Sequence, residues 1–152
     1  MQTSPGISSD KLADELMAFF VHLMQGDQGE LFAVVAELDL TMPQMRGMFV
    51  LNGSQQALAL TELAPRMGLS VAAAGRAVDG LVRKGLVSRT EDPDDRRIKR
   101  LSVTDDGLAA IVRIAEARRE GFRRFAETLD PQRRAVLAEA FATALRSEEE
   151  SP

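Results

Sequence analysis

The chain has 152 residues, 45% of them hydrophobic and 28% charged, and a formal net charge of −4. That length suits one domain, or one domain with an appended arm, and the apolar share is enough to bury a core. No Cys and a single His are present, which excludes disulfides, thiolate metal sites, cysteine nucleophiles, thiol-based redox sensing and any multi-histidine metal site.

Taken in chain order, residues 1–8 read as a flexible tail with Pro5 and Gly6. No basic start followed by an apolar run is found there, and apolar stretches fall short of the ~20 residues that span a bilayer. A cytoplasmic protein without membrane contact is expected. Ser9 is expected to cap a first helix with Asp10 in its first turn. Leu12, Leu16, Phe19, Phe20 and Leu23 follow at helical spacing. Gly26 and Gly29 break it, and a short helix over 30–37 comes next. Thr41-Met42-Pro43-Gln44 starts another helix, with Thr41 and Gln44 as a capping box and Pro43 in the first turn. It runs to about Leu51, before Asn52-Gly53-Ser54.

Two helices over 61–67 and 71–84 then follow, joined by Gly68-Leu69-Ser70, with Ser70 as cap and Gly85 as stop. A tight Gly-containing turn between short amphipathic helices is the helix-turn-helix pattern. Its inward positions are Leu63, Ala64, Leu69, Ala74, Val78, Leu81 and Val82. The period changes to a strand over 86–90, an acidic turn over 91–95 and a returning strand over 97–103, together a hairpin with a charged tip. Thr104 caps a helix of about 25 residues, roughly 37 Å long, with Leu108, Ile111, Val112, Ala115, Phe122, Phe125 and Leu129 on its stripe. Asp130-Pro131 starts a last helix, and residues 148–152 form an acidic tail. The fold class is mainly α with a small β-hairpin.

Charge is distributed unevenly. Residues 61–104 hold nine basic and six acidic side chains, net +3, whereas 1–60 and 105–152 are net −5 and −2. Phosphate binding depends on the cations that reach the phosphates more than on global charge. The one net-basic segment coincides with the helix-turn-helix and hairpin.

Three stretches resemble the MarR family of winged-helix transcriptional regulators. Leu40-Thr41-Met42-Pro43-Gln44-Met45-Arg46 is similar to the start of that family's second main helix. Leu60-Thr61-Glu62-Leu63-Ala64, Met67-Gly68-Leu69-Ser70 and Leu81-Val82-Arg83-Lys84-Gly85-Leu86-Val87 resemble its helix-turn-helix. Asp95-Arg96-Arg97, Leu101-Ser102-Val103-Thr104 and Gly107 resemble its wing signature. The likeness spans about residues 9–147. It implies a winged helix-turn-helix lobe over 41–104 and dimerisation helices over 9–37 and 105–147. It also implies a homodimer whose two lobes enter successive major grooves of a pseudo-palindromic operator in double-stranded DNA. A small aromatic or anionic effector, bound between base and lobe, would release the DNA. A repressor is the expected role, and no cofactor or metal is expected.

On this reading the second helix of the pair lies in the major groove, presenting Ser70, Val71, Ala72, Ala73, Gly75 and Arg76. Arg76 either reads guanine bidentately or touches phosphate. Val71 to Gly75 offer almost no hydrogen-bonding side chains, unlike the larger, more polar residues common in the family. Readout is therefore expected to lean on DNA shape and phosphate contacts. Thr61 and Ser70 near helix N-termini either bind phosphate or only cap. Arg83, Lys84, Arg89 and Arg100 are phosphate candidates. In the hairpin, Asp95 is expected to orient Arg97, leaving Arg97 or Arg96 for the minor groove; the alternative is a solvated charged hairpin. The apolar stripes at 12–23, 108–129 and 136–145 call for a core shared between two chains, or an intrachain three-helix bundle. Phe19, His22, Met45, Arg46, Met48 and Phe49 either line an effector cleft or are plain core and surface. No nucleophile motif or Gly-rich phosphate loop is present, so an enzyme is not expected. A winged-helix module that binds protein partners is the alternative function.

Overall fold

The structure, a computed structural model, describes residues 6–26 and 29–149; most of the two expected tails lies outside them. Among the described residues, seven helices and three short strands follow one another: α1 (Ser9–Gln25), α2 (Gly29–Glu37), α3 (Met42–Asn52), β1 (Leu58–Ala59), α4 (Leu60–Met67), α5 (Val71–Arg83), β2 (Val87–Glu91), β3 (Lys99–Val103), α6 (Asp105–Thr128) and α7 (Pro131–Glu149). Two compact units result. Residues 30–117 form a winged unit, and α1 with residues 118–149 forms a helical unit.

Local chemistry sets most of the boundaries. The cap of α1 is Ser8, one residue before the expected Ser9, because Ser8 Oγ lies 3.2 Å from the Lys11 amide it accepts from. At α3 the capping box forms: Gln44 Oε1 accepts from the Thr41 amide at 3.0 Å, and Thr41 Oγ1 from the Gln44 amide at 3.4 Å. The first helix of the expected pair begins at Leu60, and its cap position is Ala59, not Thr61. Glu62 replaces a capping hydroxyl by accepting the Ala59 amide at 2.7 Å. Between α4 and α5, Gly68 takes φ of +67°, a left-handed conformation that a side chain would strain. Ser70 then caps α5 by accepting the Ala73 amide at 3.2 Å.

The expected hairpin is part of a three-stranded antiparallel sheet ordered β1-β3-β2. Leu58 pairs with Leu101, and Val87 with Val103. The strands start later than expected, at Val87 and Lys99. Leu86 is spent closing the turn after α5, its amide bonding the Leu81 carbonyl at 3.0 Å. Residues 97 and 98 belong to the turn instead of the strand, the Ile98 amide bonding the Asp95 carbonyl at 2.9 Å.

Behind the sheet and the helix pair sits one apolar core. Met48, Leu63, Met67, Val78, Leu81, Leu101 and Ile114 are all within 2% of complete burial. Leu31 of α2 and Ala110, Ile111 and Ala117 of α6 belong to the same cluster. The first turn of α6 is pinned to the hairpin root. Thr104 Oγ1 donates to the Gly85 carbonyl at 2.6 Å and accepts from the Gly107 amide at 3.1 Å. Gly107 lies so close that a Cβ there would meet the Leu86 carbonyl oxygen at 2.1 Å and Val103 Cγ1 at 2.6 Å.

In the helical unit, Phe19 meets Phe125 edge-on with ring centroids 5.1 Å apart, and His22 meets the same ring at 5.7 Å. Neither α1 nor α7 buries a single described residue. Leu12, Leu16, Met17, Phe20, Val136, Phe141 and Leu145 stand exposed. Phe19, Leu23, Phe122, Phe125, Leu137 and Phe141 flank an apolar groove of about 630 Å³.

Because backbone cannot recede from the Gly107 position as a flexible side chain would, Gly107→Ala is expected to lower stability by ~1–3 kcal/mol through overpacking. Thermal unfolding followed by circular dichroism checks this. An unchanged melting temperature would show that the α6 docking is looser than described.

Candidate nucleic-acid interface

The N-terminal half of α5 and the tip of the hairpin carry the residues that the sequence singles out. Val71 is 47% exposed, Ala72 is exposed, and Ala73 and Gly75 are half-buried. Arg76 projects from the same exposed face and makes no ion pair among the described residues. The face is thus apolar and small, with one guanidinium. Alanine and valine methyls offer van der Waals surface to thymine methyls, and only Arg76 offers hydrogen bonds to base edges.

The nine cations of residues 61–104 divide into two groups. Lys84 donates to Asp39 at 2.7 Å, Arg89 pairs with Asp79, Lys99 donates to Glu91 at 2.8 Å, and Arg100 bridges Glu62 and Asp92. Arg66 donates to Ser54 Oγ at 3.3 Å. Among the described residues Arg76, Arg83, Arg96 and Arg97 have no carboxylate partner for their side chains. Exposed pairs such as Lys84–Asp39 are weak and exchangeable, so Lys84 and Arg89 can trade a carboxylate for a phosphate. Arg100 cannot do so cheaply, because its partner Asp92 is buried. Among the expected phosphate candidates, Arg100 is half-buried and held by two carboxylates within the fold.

Asp95 meets Arg97 through its backbone. Its carboxylate accepts from the backbone amide of Arg97 at 3.0 Å; it does not hold the Arg97 guanidinium. It shapes the turn and leaves the side chains of Arg96 and Arg97 exposed at the tip. Arg97, Arg89 and Lys99, together with Thr61, Leu60 and Ile98, line an open groove of about 330 Å³. This groove lies between the first turn of α4 and the hairpin. Thr61 therefore contributes an exposed hydroxyl in a helical first turn, where backbone N–H groups favour anions.

The hairpin is held at the base of its turn by a buried carboxylate that composition and motif reading did not reveal. Asp92 is only 6% exposed. Its Oδ1 accepts from the amides of Asp94 at 2.9 Å and Asp95 at 3.2 Å. Its Oδ2 accepts from Arg100 Nε at 2.5 Å. The run of four acids around Pro93 concealed it: one of the four is structural, and its cation lies eight residues on, across the turn. The bond from Arg100, then the backbone amides, hold the Asp92 carboxyl below the usual aspartate range against the opposing effect of burial.

The expected effector residues fall in different units. Phe19 and His22 are in the helical unit, packed on Phe125. Met45, Arg46, Met48 and Phe49 are on α3 of the winged unit. Met48 is fully buried and is a core residue, which corrects its assignment to a cleft wall. Arg46 is exposed, Met45 packs against the core, and Phe49 is 42% exposed.

Residues 40–99 match the model of the MarR family. The transcriptional repressor MdtR of Bacillus subtilis is 31% identical over 102 residues, 66% of this chain and 64% of that protein. The structure is similar to that of RV1404 from Mycobacterium tuberculosis, with 27% identity, a TM-score of 0.75, and 99% and 100% of the two chains covered. The MepR–DNA complex of S. aureus shares the fold at 19% identity, with a TM-score of 0.68 over 88% of this chain and 98% of that one.

A carboxylate with a depressed folded-state pKa stabilises above its unfolded value, here near 3.8, and loses that contribution as pH falls through the lower folded value. The hairpin turn is therefore expected to keep its order from neutral pH to about pH 5, and to loosen only below the ordinary aspartate range. Amide exchange at Asp94 and Asp95, followed by NMR against pH, checks this. Loosening already between pH 7 and 5 would contradict it.

Proposed function

We propose, from the premise that this chain belongs to the MarR family of transcriptional regulators, that it binds a pseudo-palindromic operator in double-stranded DNA as a homodimer and acts as a repressor. The observation that carries the reading is the set of four unpaired arginines. Arg76 and Arg83 lie on α5, and Arg96 and Arg97 at the hairpin tip, in a segment that is net basic within an acidic chain. Helix and hairpin then act together. The N-terminal half of α5, from Ser70 through Val71, Ala72, Ala73 and Gly75 to Arg76, enters the major groove. Arg96 and Arg97 reach the adjacent minor groove, where narrow A·T-rich duplex concentrates negative potential. Arg83, Lys84 and Arg89 take phosphates, the latter two by exchange with Asp39 and Asp79.

A homodimer is supported by the apolar surface of the helical unit. Leu12, Leu16, Phe20, Val136, Phe141 and Leu145 stand exposed on α1 and α7, and apolar side chains gathered on a surface in such numbers mark interaction sites. A second copy that covers these stripes completes the core that α1 and α7 lack. The proposal covers residues 9–37 and 105–147 as the dimerising helices, and 41–104 as the lobe that meets DNA. A regulator of this kind works in the cytoplasm beside the chromosome; no helix among the described residues is long and apolar enough to cross a membrane. Repression is supported by the name of the MdtR relative, and DNA as partner by the MepR complex. Release by a small aromatic or anionic effector rests on the family resemblance.

The apolar face at Val71, Ala72, Ala73 and Gly75 favours a second reading, a winged-helix module that docks a protein partner. Salt separates the two. A DNA-binding dimer that neutralises several phosphates loses affinity about a hundredfold or more between roughly 50 and 200 mM salt. Mobility-shift titration on the chain's own promoter region is expected to show this loss, and Arg97→Ala to weaken binding about tenfold or more with the dimer intact. No binding at low salt would favour the protein-partner reading. Truncation before Pro131 is expected to abolish dimerisation in sedimentation analysis; a well-folded dimer without α7 would contradict the shared core.

A further inference from the structure

Arg100 stands apart from the other cations of the winged unit. It lies on β3, the central strand, and its side chain bonds carboxylates on two other parts of the unit. Its Nε donates to Asp92 Oδ2 at 2.5 Å, at the end of β2 where the hairpin turn begins. Its Nη1 donates to Glu62 Oε2 at 2.8 Å, in the first turn of α4. The same Glu62 oxygen accepts the Ala59 amide at 2.7 Å, at the end of β1. Asp92, in turn, holds the amides of Asp94 and Asp95 with its other oxygen. One planar guanidinium therefore links the turn that carries Arg96 and Arg97 to the N-terminus of the helix pair. The backbone makes that link only short of the turn: Leu58 and Ala59, just before α4, pair with Leu101 and Arg100 of β3, and beyond them the Asp92 amide bonds the Ile98 carbonyl at 3.0 Å, a contact within the hairpin.

We propose that Arg100 is a positioning residue which, through Asp92 and Glu62, fixes the angle of the hairpin against α4 and so sets where Arg96 and Arg97 can reach. The functional half of this inference rests on the DNA-binding reading; the geometric half does not. The pairing of β1 with β3 ends at Ala59 and Arg100, and the two-stranded part of the hairpin beyond it twists readily unless its tip is tied. Two charge-assisted bonds from one planar guanidinium to carboxylates on different elements supply both direction and stiffness. Lysine cannot replace it, because an ammonium is a point donor and cannot span two carboxylates on different elements with fixed geometry.

The sign of the mutational effects separates positioning from phosphate contact. Asp92→Asn keeps an acceptor for the Asp94 and Asp95 amides but turns an N–H₂ toward Arg100. Glu62→Gln keeps acceptors and loses only charge. Removing a negative charge near DNA strengthens binding by long-range electrostatics. Positioning predicts the reverse.

The experiment has two arms. In the first, the chain's lack of Cys lets Asp94→Cys and Arg66→Cys carry spin labels at the hairpin tip and on α4, with labelled chains diluted in unlabelled ones. One narrow distance is expected, broadened or shifted in Asp92→Asn and in Arg100→Lys. In the second, operator affinity is expected to fall about tenfold in both variants, and less in Glu62→Gln, with the salt dependence unchanged. Unaltered label distances would overturn the proposal. So would tighter binding by Asp92→Asn, or a salt slope reduced by about one phosphate in Arg100→Ala, which would make Arg100 a phosphate contact. If the parent chain binds no DNA, the functional reading fails, and the label distances still decide the positioning. Should Asp92→Asn fail to fold, Arg100→Lys, which retains the charge, carries both arms.

Discussion

An acidic chain approaches a polyanion only through those cations that its own carboxylates leave unengaged. Competition between internal carboxylate and external phosphate for the same guanidinium organises the winged unit. Its segment over 61–104 is only modestly basic, and four of its nine cations are already paired with carboxylates. Burial decides which of these pairs are permanent. A pair in water, such as Lys84 with Asp39, is worth little and gives way to a phosphate. A pair with a desolvated partner, such as Arg100 with Asp92, is kept, because separation strands a charge where water cannot reach it. The cations left over are not scattered. Arg66 on α4 bonds Ser54, and the other four sit at two places, one helix face and one hairpin tip, which the proposed docking brings to a wide and a narrow groove.

Packing turns that distribution of charge into a shape. Two short helices and a ribbon have no intrinsic reason to hold a fixed mutual angle. Met48 and Leu63, with Val78 and Leu81, lock α3, α4 and α5 together in a fully buried core. Leu101 brings the central strand into the same core, and the close seat of Gly107 on the Leu86 carbonyl fastens α6 to the hairpin root. Each contact leaves the outer face of α5 free of structural duty. That freedom explains how its residues can be small: the helix needs Ala74 and Val78 inward, while Val71, Ala72 and Ala73 answer only to whatever binds them.

Much of the fold was legible in the sequence because its signals are local. Thr41 and Gln44 announce a capping box, Gly68 a left-handed turn, Thr104 and Pro131 the starts of the last two helices, and each stands within a residue or two of where it was expected. What escaped was long-range. The two-residue strand at Leu58–Ala59 has no periodicity to detect and exists only because Leu101 pairs with it. Thr61 looked like a cap because hydroxyls usually are, yet Glu62 reaches back to do that work. Arg100 looked like one more surface cation. Its partners lie 8 and 38 residues away, and no spacing rule links them. Met48 shows the limit of reading a helix one face at a time: beside Met45 and Phe49 it suggested a cleft wall, whereas the fold buries it at the centre of the core.

The central claim is that a paired scaffold presents two of these winged units to adjacent turns of one duplex. Hydroxyl-radical footprinting of the operator measures that arrangement directly. The account predicts two protected patches of equal strength, related by an approximate dyad and centred about 10 base pairs, or a multiple of that, apart. A single patch, or two with no dyad between them, would contradict it.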